Sequence, residues 1–276
     1  MSGGDRKPPA PDRGAPAAVR TMSELDAPEE VEVLYWVGCA AALDQRLHSV
    51  ARAMVRVMSR AGVDFAVLGS EERCTGDPAR RTGNEFHFQA VARENIETLE
   101  KYGVRTIVTH CPHCLQTLGR DYRDLGGEFE VVHHTAFVRS LIDEGRLDVP
   151  SDLRESVTYH DPCYLGRYAG EYDAPRAVLG DLGSKPVEMP RSRQKSFCCG
   201  AGGGHAFFED GEGGKVNVNR AREAVETGAS TVCTACPFCL SMLEEGVAAV
   251  KPDGPPRVRD FVELVDEALG GPGAEG

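Results

Sequence analysis

Short apolar runs alternate with longer helix-forming stretches along the first half of the chain. The runs "VEVLYWV", "DFAVL", "RTIVT" and "EVVHH" are rich in β-branched and aromatic residues, so they predict four strands. Residues 43–60 and 84–102 predict helices, and further helices are expected to begin at the "CPHC" segment and at Ala136. The first half is therefore predicted to alternate strands with helices.

The second half repeats this order in shorter form. The runs "SVTYH" and "STVCT" predict strands, residues 215–227 predict a helix, and another helix is expected to begin at the "CPFC" segment. Strands that alternate with helices are typical of a parallel sheet with helices packed on its faces. The expected fold class is α/β, with a small parallel sheet and flanking helices in each half.

The chain aligns with itself at an offset of 124 residues. Cys39 then meets Cys163, and Cys74 meets Cys198, while "CPHC" at 111–114 meets "CPFC" at 236–239 after one residue of slippage. The helical pattern "AFVRSLIDEG" likewise matches "DFVELVDEAL" at the original offset. This coincidence indicates a tandem duplication, with a first domain over 31–150 and a second over 151–270.

The first 30 residues lack this pattern. They are rich in Pro, Ala and charged residues and lack the apolar core of a secretory signal, so they predict a disordered tail and a cytoplasmic chain. No stretch is apolar for the eighteen or more residues that a membrane helix needs. The net charge of −12 opposes an extended phosphate-binding surface, so we expect no nucleic-acid partner.

Ten cysteines in such a chain favour metal or redox chemistry over structural disulfides, which a reducing compartment would not maintain. The adjacent pair Cys198 and Cys199 cannot easily form a disulfide with each other, because disulfide geometry demands a separation and orientation that neighbours rarely reach. Most of the cysteines follow predicted strands, at the edge where parallel sheets bind ligands. A Cys-Pro-x-Cys segment that opens a helix also places its first sulfur near unpaired N–H groups, which favours the thiolate form that ligates metal.

The second half supplies one sulfur more than a tetrahedral zinc or an ordinary cubane cluster uses. The five candidate ligands are Cys163, Cys198, Cys199, Cys236 and Cys239. The glycines at 200, 202, 203 and 204 would let the backbone approach a bulky inorganic centre and aim N–H groups at it. The "GAGGGH" loop lacks the Lys-Ser/Thr ending of a phosphate-binding loop, which makes that alternative weak.

The first half has Thr75 where the second has Cys199. Its candidate ligands are the four cysteines Cys39, Cys74, Cys111 and Cys114. Four thiolates suit either a cubane cluster or a zinc ion, and the sequence does not separate the two. Cys233 has no counterpart in the first half, and we interpret it as a buried thiol at a strand end.

The spacing of the cysteines resembles the cysteine-rich CCG domain of the heterodisulfide reductase family. The segments "CTGDPARRTGNEF", "VTHCPHCLQTL", "YHDPCYLGRY" and "FCCGAGGG" are most similar to the C-terminal part of bacterial membrane-linked iron–sulfur oxidoreductases, including those that pass electrons from electron-transfer flavoprotein to menaquinone. Glycolate oxidase iron–sulfur subunits are also related. The resemblance covers about residues 31–269.

The resemblance implies a noncubane [4Fe–4S] cluster on the five cysteines of the second half, and a second [4Fe–4S] cluster or zinc at the first site. It implies an electron-transfer subunit that works between a flavoprotein or ferredoxin-type partner and a quinone-side or thiol/disulfide acceptor. A membrane-bound subunit is one such partner and would place the chain at the inner face of the membrane. The ferredoxin-type CxxCxxCxxxCP segments of larger relatives are missing from this sequence.

Two other functions fit some of these residues. One is a zinc-stabilised structural module, and the other is a metal-independent dithiol oxidoreductase that uses one CxxC. Neither needs a fifth cysteine. His160 and Asp161, just before Cys163, are the best candidates to tune a thiolate from outside the ligand set. Other histidines near the motifs are expected to make hydrogen bonds at strand ends: His110, His113, His133, His134 and His205.

Overall fold

The first half forms a parallel sheet of four strands. The computed structural model describes residues 19–208 and 215–272. The strands of this sheet are β1 (Val33–Trp36), β2 (Phe65–Ala66), β3 (Thr106–Thr109) and β4 (Glu130–His133). They lie in the order β2-β1-β3-β4, and Leu34 at the centre pairs with Ala66 on one side and Ile107 on the other. All four strands are parallel, so their carboxyl ends share one edge.

The second half forms a parallel sheet of three strands. They are β5 (Val157–Tyr159), β6 (Thr231–Thr234) and β7 (Arg257–Asp260), in the order β5-β6-β7. Strand β7 was not predicted from the sequence, because Arg257 and Arg259 flank its buried Val258 and hide the apolar pattern. The predicted α/β class, with a small parallel sheet in each half, is confirmed.

Helices connect the strands and bury their apolar faces against the sheets. In the first half they are α1 (Cys39–Leu43), α2 (His48–Arg60), α3 (Asp77–Arg81), α4 (Glu85–Lys101), α5 (Pro112–Gly119) and α6 (His134–Asp143). In the second half they are α7 (Ala174–Asp181), α8 (Val216–Glu226), α9 (Pro237–Val250) and α10 (Phe261–Ala268).

The helix predicted over 43–60 is divided. Helix α1 ends at Leu43, a short 3-10 helix covers Gln45–Leu47, and α2 begins at His48. The break lies at Asp44, whose carboxylate accepts a hydrogen bond from the Arg46 backbone N–H at 2.9 Å. A side chain that caps the following turn in this way competes with a continuous helix.

The end of the segment predicted as a disordered tail, residues 19–30, is ordered in the structure. It forms short 3-10 helices at Met22–Glu24 and Pro28–Glu30, and the Met22 side chain is fully buried. The Met22 N–H donates to the Val67 carbonyl at 2.8 Å, which fastens this segment beside β2. Residues 1–18 lie outside the described part of the chain.

The two halves share one hydrophobic core. It contains Val57 from α2 and Val265 from α10 as well as strand residues of both sheets, such as Val33 and Val157. Ion pairs reinforce this contact, as in the pairing of Arg56 with Asp266. Among the residues that the structure describes, no helix is both long and apolar enough to cross a membrane.

Candidate metal centres

The four cysteines of the first half line one cavity. Cys39 begins α1 just after β1, and Cys74 lies just before α3. Cys111 is the N-cap of α5, with Cys114 in the first turn of that helix. The predicted ligands of this site, which we call the first site, are therefore brought together where the strands end.

Hydrogen bonds between thiol groups connect sulfur atoms of the first site. The Cys39 thiol donates a hydrogen bond to Cys74, which raises the pKa of Cys39 and, despite burial, lowers the pKa of Cys74 to about 6. The Gly76 N–H also donates to Cys74. The pKa of Cys114 is raised well above its ordinary value, since its thiol interacts with Cys111 and is buried. The site thus favours thiolate at Cys74, the form that binds metal.

The five cysteines predicted as ligands in the second half also converge, and we call their cluster the second site. The Sγ atoms of Cys199 and Cys239 lie 3.3 Å apart. The Cys163 thiol donates to Cys198, and Cys236 accepts from Cys239. All of these thiols are free, with no disulfide among them.

Cys198 is the strongest acceptor of the second site. Hydrogen bonds from the Cys163 and Cys199 thiols lower its pKa, and the backbone N–H groups of Gly200 and Gly202 add to the effect. The Gly200 nitrogen lies 3.3 Å from Cys198 Sγ. Gly200 has a φ of +103°, a conformation that side chains rarely adopt, so glycine permits this close approach. The sequence predicts N–H groups of this loop directed at an inorganic centre. In the structure, two of these N–H groups donate to the Cys198 sulfur.

The glycine loop also contacts the first half. It forms 3-10 turns over Gly202–Phe207 that are interrupted at Gly203 and Gly204, where φ is positive, and a Cβ added at Gly204 would lie 2.6 Å from Thr82 Cγ2. The loop has no room for a side chain at this point. The second site is therefore closed partly by the first half of the chain.

The third residues of the two Cys-Pro-x-Cys segments lie at the boundary between the sites. His113 of the first half hydrogen-bonds to Cys236, and although burial acts in the opposite direction, this bond and one from Cys239 lower the pKa of Cys236 to about 5. The Nδ1 atom of His113 lies 2.9 Å from Asp77 Oδ2. Phe238, the counterpart of His113 in the second half, lines the first site together with His113.

A stack of aromatic rings leads outward from His113. Tyr164 stacks on His113 with ring centroids 4.0 Å apart, and Tyr168 stacks on Tyr164 at 4.8 Å. Tyr168 is about half exposed, with 51% of its surface accessible. The stack connects the boundary between the two sites to the molecular surface.

His160 lies beside the sulfur atoms of the second site. One of its ring nitrogens lies within 4.8 Å of Cys199 Sγ and Cys239 Sγ. Its Nδ1 atom accepts a hydrogen bond of 2.9 Å from Nε of Arg220, a fully buried side chain on α8. Burial, followed by the Arg220 charge, lowers the pKa of His160 well below its ordinary value. His160 is therefore held as neutral imidazole.

Asp161 organises the loop before Cys163. Its carboxylate pairs with Arg176 through contacts of 2.7 and 2.9 Å. It also accepts from the Arg193 backbone N–H at 2.7 Å. Asp161 therefore positions the segment that carries the second site.

Several other candidates lie outside the two sites. His110 bonds to the Tyr35 hydroxyl at 2.8 Å, and His134 Nε2 lies 3.0 Å from Asp260 Oδ1. His133 packs against His134, which completes a buried cluster between the halves. The His205 side chain is exposed. Cys233 is fully buried on β6, as its interpretation as a buried thiol predicts.

Arg220 and Asp77 were not predicted from the sequence. Arg220 lies in a polar helical stretch that is typical of a solvent-exposed helix, and nothing in its spacing distinguishes it from a surface arginine. Asp77 follows the Cys-Thr-Gly segment directly, and that position was the available signal. Both residues act on a site through a histidine.

The donor atoms of both sites suit a sulfur-seeking metal or cluster. Thiolates select zinc, Cu(I) and iron–sulfur clusters, and zinc in structural sites takes four ligands. The first site matches a four-ligand centre, whereas the second has a fifth sulfur. At Gly38, where φ is +81°, an added Cβ would lie 3.5 Å from Cys114 Sγ, so the backbone is close to the sulfurs there.

The family model described as "Cysteine-rich domain" (CCG) matches the chain twice, at residues 33–119 and 157–244. A probable iron–sulfur-binding oxidoreductase, FadF, of Bacillus subtilis is 40% identical over 260 residues, which is 94% of this chain and 37% of the relative. The EtfAB:quinone oxidoreductase of Syntrophomonas wolfei is 38% identical over 91% of this chain and 36% of its own length.

A third relative is a component of the dihydromethanophenazine:CoB–CoM heterodisulfide reductase of Methanosarcina barkeri. It is 40% identical over 88% of this chain and 60% of its own length. The chain thus spans between about a third and three fifths of the length of these relatives. Two matches in register with the duplicated cysteine motifs leave one assignment: the chain belongs to the cysteine-rich CCG domain family, and it is related to iron–sulfur oxidoreductases.

Proposed function

We propose that this chain is an iron–sulfur electron-transfer unit of an oxidoreductase. The second site would hold a noncubane [4Fe–4S] cluster on Cys163, Cys198, Cys199, Cys236 and Cys239. The first site would hold a second [4Fe–4S] cluster or a zinc ion on Cys39, Cys74, Cys111 and Cys114. When bound, an iron–sulfur cluster supplies one-electron transfer.

The convergence of five sulfur atoms in the second site carries this proposal. A structural zinc site is complete with four ligands, and a dithiol oxidoreductase needs two sulfurs. Cys199 lies 3.3 Å from Cys239, and backbone N–H groups of the same loop are aimed at the adjacent Cys198, an arrangement that fits neither alternative. It does fit a larger inorganic centre with several sulfur-bound irons.

The surrounding protein has groups suited to electron transfer. The amides of Gly200 and Gly202 stabilise negative charge on Cys198, and negative charge increases when a cluster is reduced. The sites meet at His113, so electrons entering one site would have a short route to the other. The aromatic stack that ends at Tyr168 marks a candidate docking point for a redox partner.

The names of the relatives support a flavoprotein or ferredoxin-type donor and a quinone-side or thiol/disulfide acceptor. One relative is named as an EtfAB:quinone oxidoreductase and another as part of a heterodisulfide reductase. We favour relay to a partner over direct disulfide cleavage, since the first site lacks the fifth cysteine of a matched pair. A membrane-bound partner would hold the chain at the cytoplasmic face of the membrane.

Anaerobic reconstitution of the full chain with iron and sulfide tests this function. We expect iron and sulfide to be incorporated in similar amounts and the reduced chain to give an EPR signal. Stopped-flow mixing with a reduced flavoprotein is expected to reduce the chain rapidly, while turnover of small disulfides stays slow. A colourless chain that retains only zinc would refute the proposal, and fast disulfide turnover would replace relay with direct catalysis.

A further inference from the structure

The Arg220–His160 pair determines which atoms His160 can offer to the second site. Arginine has N–H donors only and stays protonated, so the 2.9 Å contact from Arg220 Nε requires His160 Nδ1 to accept. A neutral imidazole has one acceptor nitrogen and one N–H group. The proton of His160 therefore sits on Nε2.

The Nε2 atom of His160 is buried and has no hydrogen-bond partner among the residues that the structure describes. Cysteine sulfur is a nearby acceptor, since a His160 ring nitrogen lies within 4.8 Å of both Cys199 Sγ and Cys239 Sγ. A buried N–H without an acceptor is costly, and such groups are rare in folded proteins. The geometry is that of a donor held ready for a sulfur acceptor.

The framework around His160 leaves the ring little freedom. Its backbone N–H donates to the Cys233 carbonyl at 2.8 Å, which continues the sheet beyond β5. Arg220 is held in turn, because it donates to Glu223 at 2.6 Å and to the Arg191 carbonyl at 2.8 Å. The imidazole is thus fixed from behind by a guanidinium that is itself anchored.

The first half offers a parallel at the same position. Trp36 precedes Cys39 by three residues, as His160 precedes Cys163. Its indole Nε1–H is also buried without a partner among the described residues, and the side chain packs in the cluster that contains Cys111 and Cys114. An indole nitrogen can only donate. The repeated position therefore carries a buried ring N–H in both halves.

We propose that His160 is not a metal ligand but an N–H donor to a sulfur of the second-site cluster, with Arg220 fixing the tautomer that makes this possible. This inference rests on the proposed function. Hydrogen bonds to cluster sulfurs stabilise the reduced, more negative state and raise the reduction potential. His160 thereby makes the second site easier to reduce.

The first measurement is pulsed EPR on the reconstituted wild-type chain and on His160→Leu, with and without ¹⁵N-histidine and in H₂O against D₂O. We expect a weak histidine nitrogen coupling together with a proton coupling that disappears in D₂O. His160→Leu should lose the His160 contribution to both couplings, whereas that of His113 beside Cys236 should remain. A strong nitrogen coupling, as iron-bound imidazole gives, would overturn the proposal.

The second measurement is an EPR-monitored redox titration of variants. His160→Leu removes the N–H, so we expect the reduction equilibrium of the second site to shift about tenfold toward the oxidised state, which is about 59 mV for one electron. His160→Gln keeps an amide N–H and is expected to restore most of the wild-type potential. His87→Gln, at an exposed histidine on α4, is the matched control and should leave the potential unchanged.

The outcomes separate the two proposals. If no cluster signal depends on Cys199, the proposed function falls and this inference falls with it. If the signal forms and His160→Leu leaves its potential at the wild-type value, the inference alone is wrong. Equal potentials of the Leu and Gln variants, both lowered, would show a packing effect in place of a hydrogen bond.

Discussion

Glu72 in the first half and Ser196 in the second occupy the same place, two residues before the second cysteine of each site. The Glu72 carboxylate accepts from the N–H groups of Val37 and Gly38 at 3.0 and 2.6 Å. The Ser196 hydroxyl donates to the Asp161 carbonyl at 3.1 Å. In both halves this residue ties the loop of the second cysteine to the turn before the first cysteine, but one tie is an acid and the other is neutral.

The charge around the two sites differs accordingly. Burial is the main cause that raises the pKa of Glu72 to about 7, and the nearby Cys74 acts in the same direction. The second site instead has the buried cation Arg220 behind His160. Since local charge and hydrogen bonding set the potential of a cluster, a duplicated framework can provide two unequal redox sites. Four sulfur positions are the same in both halves, while the fifth and the surrounding polar residues differ.

Removal of the fifth sulfur is the strongest test of the difference between the two sites. Cys199→Ser should abolish or alter the second-site EPR signal, because Cys199 contacts Cys239 at 3.3 Å and donates to Cys198. The matched change Thr75→Ser should alter the first-site signal far less, since no sulfur is lost. Iron content and EPR spectra of both variants check this.

Cys233→Ala is the control for loss of a cysteine that lies outside both sites. It should retain the second-site signal, because Cys233 is buried on β6 with its Sγ 3.9 Å from the Thr234 carbonyl. Equal damage from Cys199→Ser and Thr75→Ser would show that the two ligand sets have been assigned incorrectly.

A second test weakens the ion pairs that hold the two halves together. Arg46 on the first half bonds to Glu244 at 2.6 Å and to the buried Glu263 at 2.7 Å. Arg46→Met leaves these carboxylates without their cation, so the free energy of unfolding should fall by about 3–5 kcal/mol. Arg139→Met, which removes surface pairs with Asp143 and Asp181, should lower it by less than about 1 kcal/mol. Urea unfolding measures both free energies. Similar losses for the two variants would contradict the role of the Arg46 ion pairs in holding the halves together.

The pH dependence of the free energy of unfolding tests the buried carboxyl group at the boundary between the halves. Burial raises the pKa of Asp260 to about 7, so its proton is bound more tightly in the folded than in the unfolded state. Its stabilisation is present below the unfolded pKa and is lost as the pH rises through about 7. The wild type should lose about 2–4 kcal/mol more than Asp260→Asn between pH 4 and pH 8. Parallel pH profiles in urea unfolding would rule out this role for Asp260.

The last and weakest effect concerns the glycine loop, in which Gly200 has the counterpart Gly76 in the first half but Gly202–Gly204 have none. Gly200→Ala places a Cβ about 3.2 Å from Met242 Cε and Val216 Cβ at a positive φ, so it should destabilise the chain by about 1–3 kcal/mol and reduce the iron held by the second site. Gly202→Ala meets no atom within 4 Å and is the matched control. Retention of full iron content by Gly200→Ala would show that the loop does not support Cys198 as proposed.

Much of the fold follows from local pattern. The short β-branched runs before Cys39 and Cys163 predict β1 and β5, and the helix predicted over 84–102 is found as α4, with Asn84 as its N-cap. The break at Asp44 could not be read in the same way, because it depends on one side chain that prefers a turn to a helix. The ordered structure of residues 19–30 was not predictable either, because it depends on contacts beside β2, which lies far along the chain.

The composition of the two sites was predictable from cysteine spacing, but their surroundings were not. Repeated spacing brings sulfurs together wherever parallel strands end, because those ends share one edge of a sheet. The Arg220–His160 contact spans sixty positions and depends on how α8 packs, which no local pattern encodes. The pairing of His134 with Asp260 crosses between the halves and is equally invisible in sequence.

The position of His113 and Phe238 between the sites limits what either half can do by itself. Each Cys-Pro-x-Cys segment contributes its cysteines to its own half, and its third side chain also reaches the site of the other half. A half that was expressed alone or grafted onto another scaffold would keep its ligands but lose a wall, and solvent would reach its sulfurs. The duplicated domains are therefore no longer interchangeable units, and any transplant of one site into a new protein must bring the opposite half along with it.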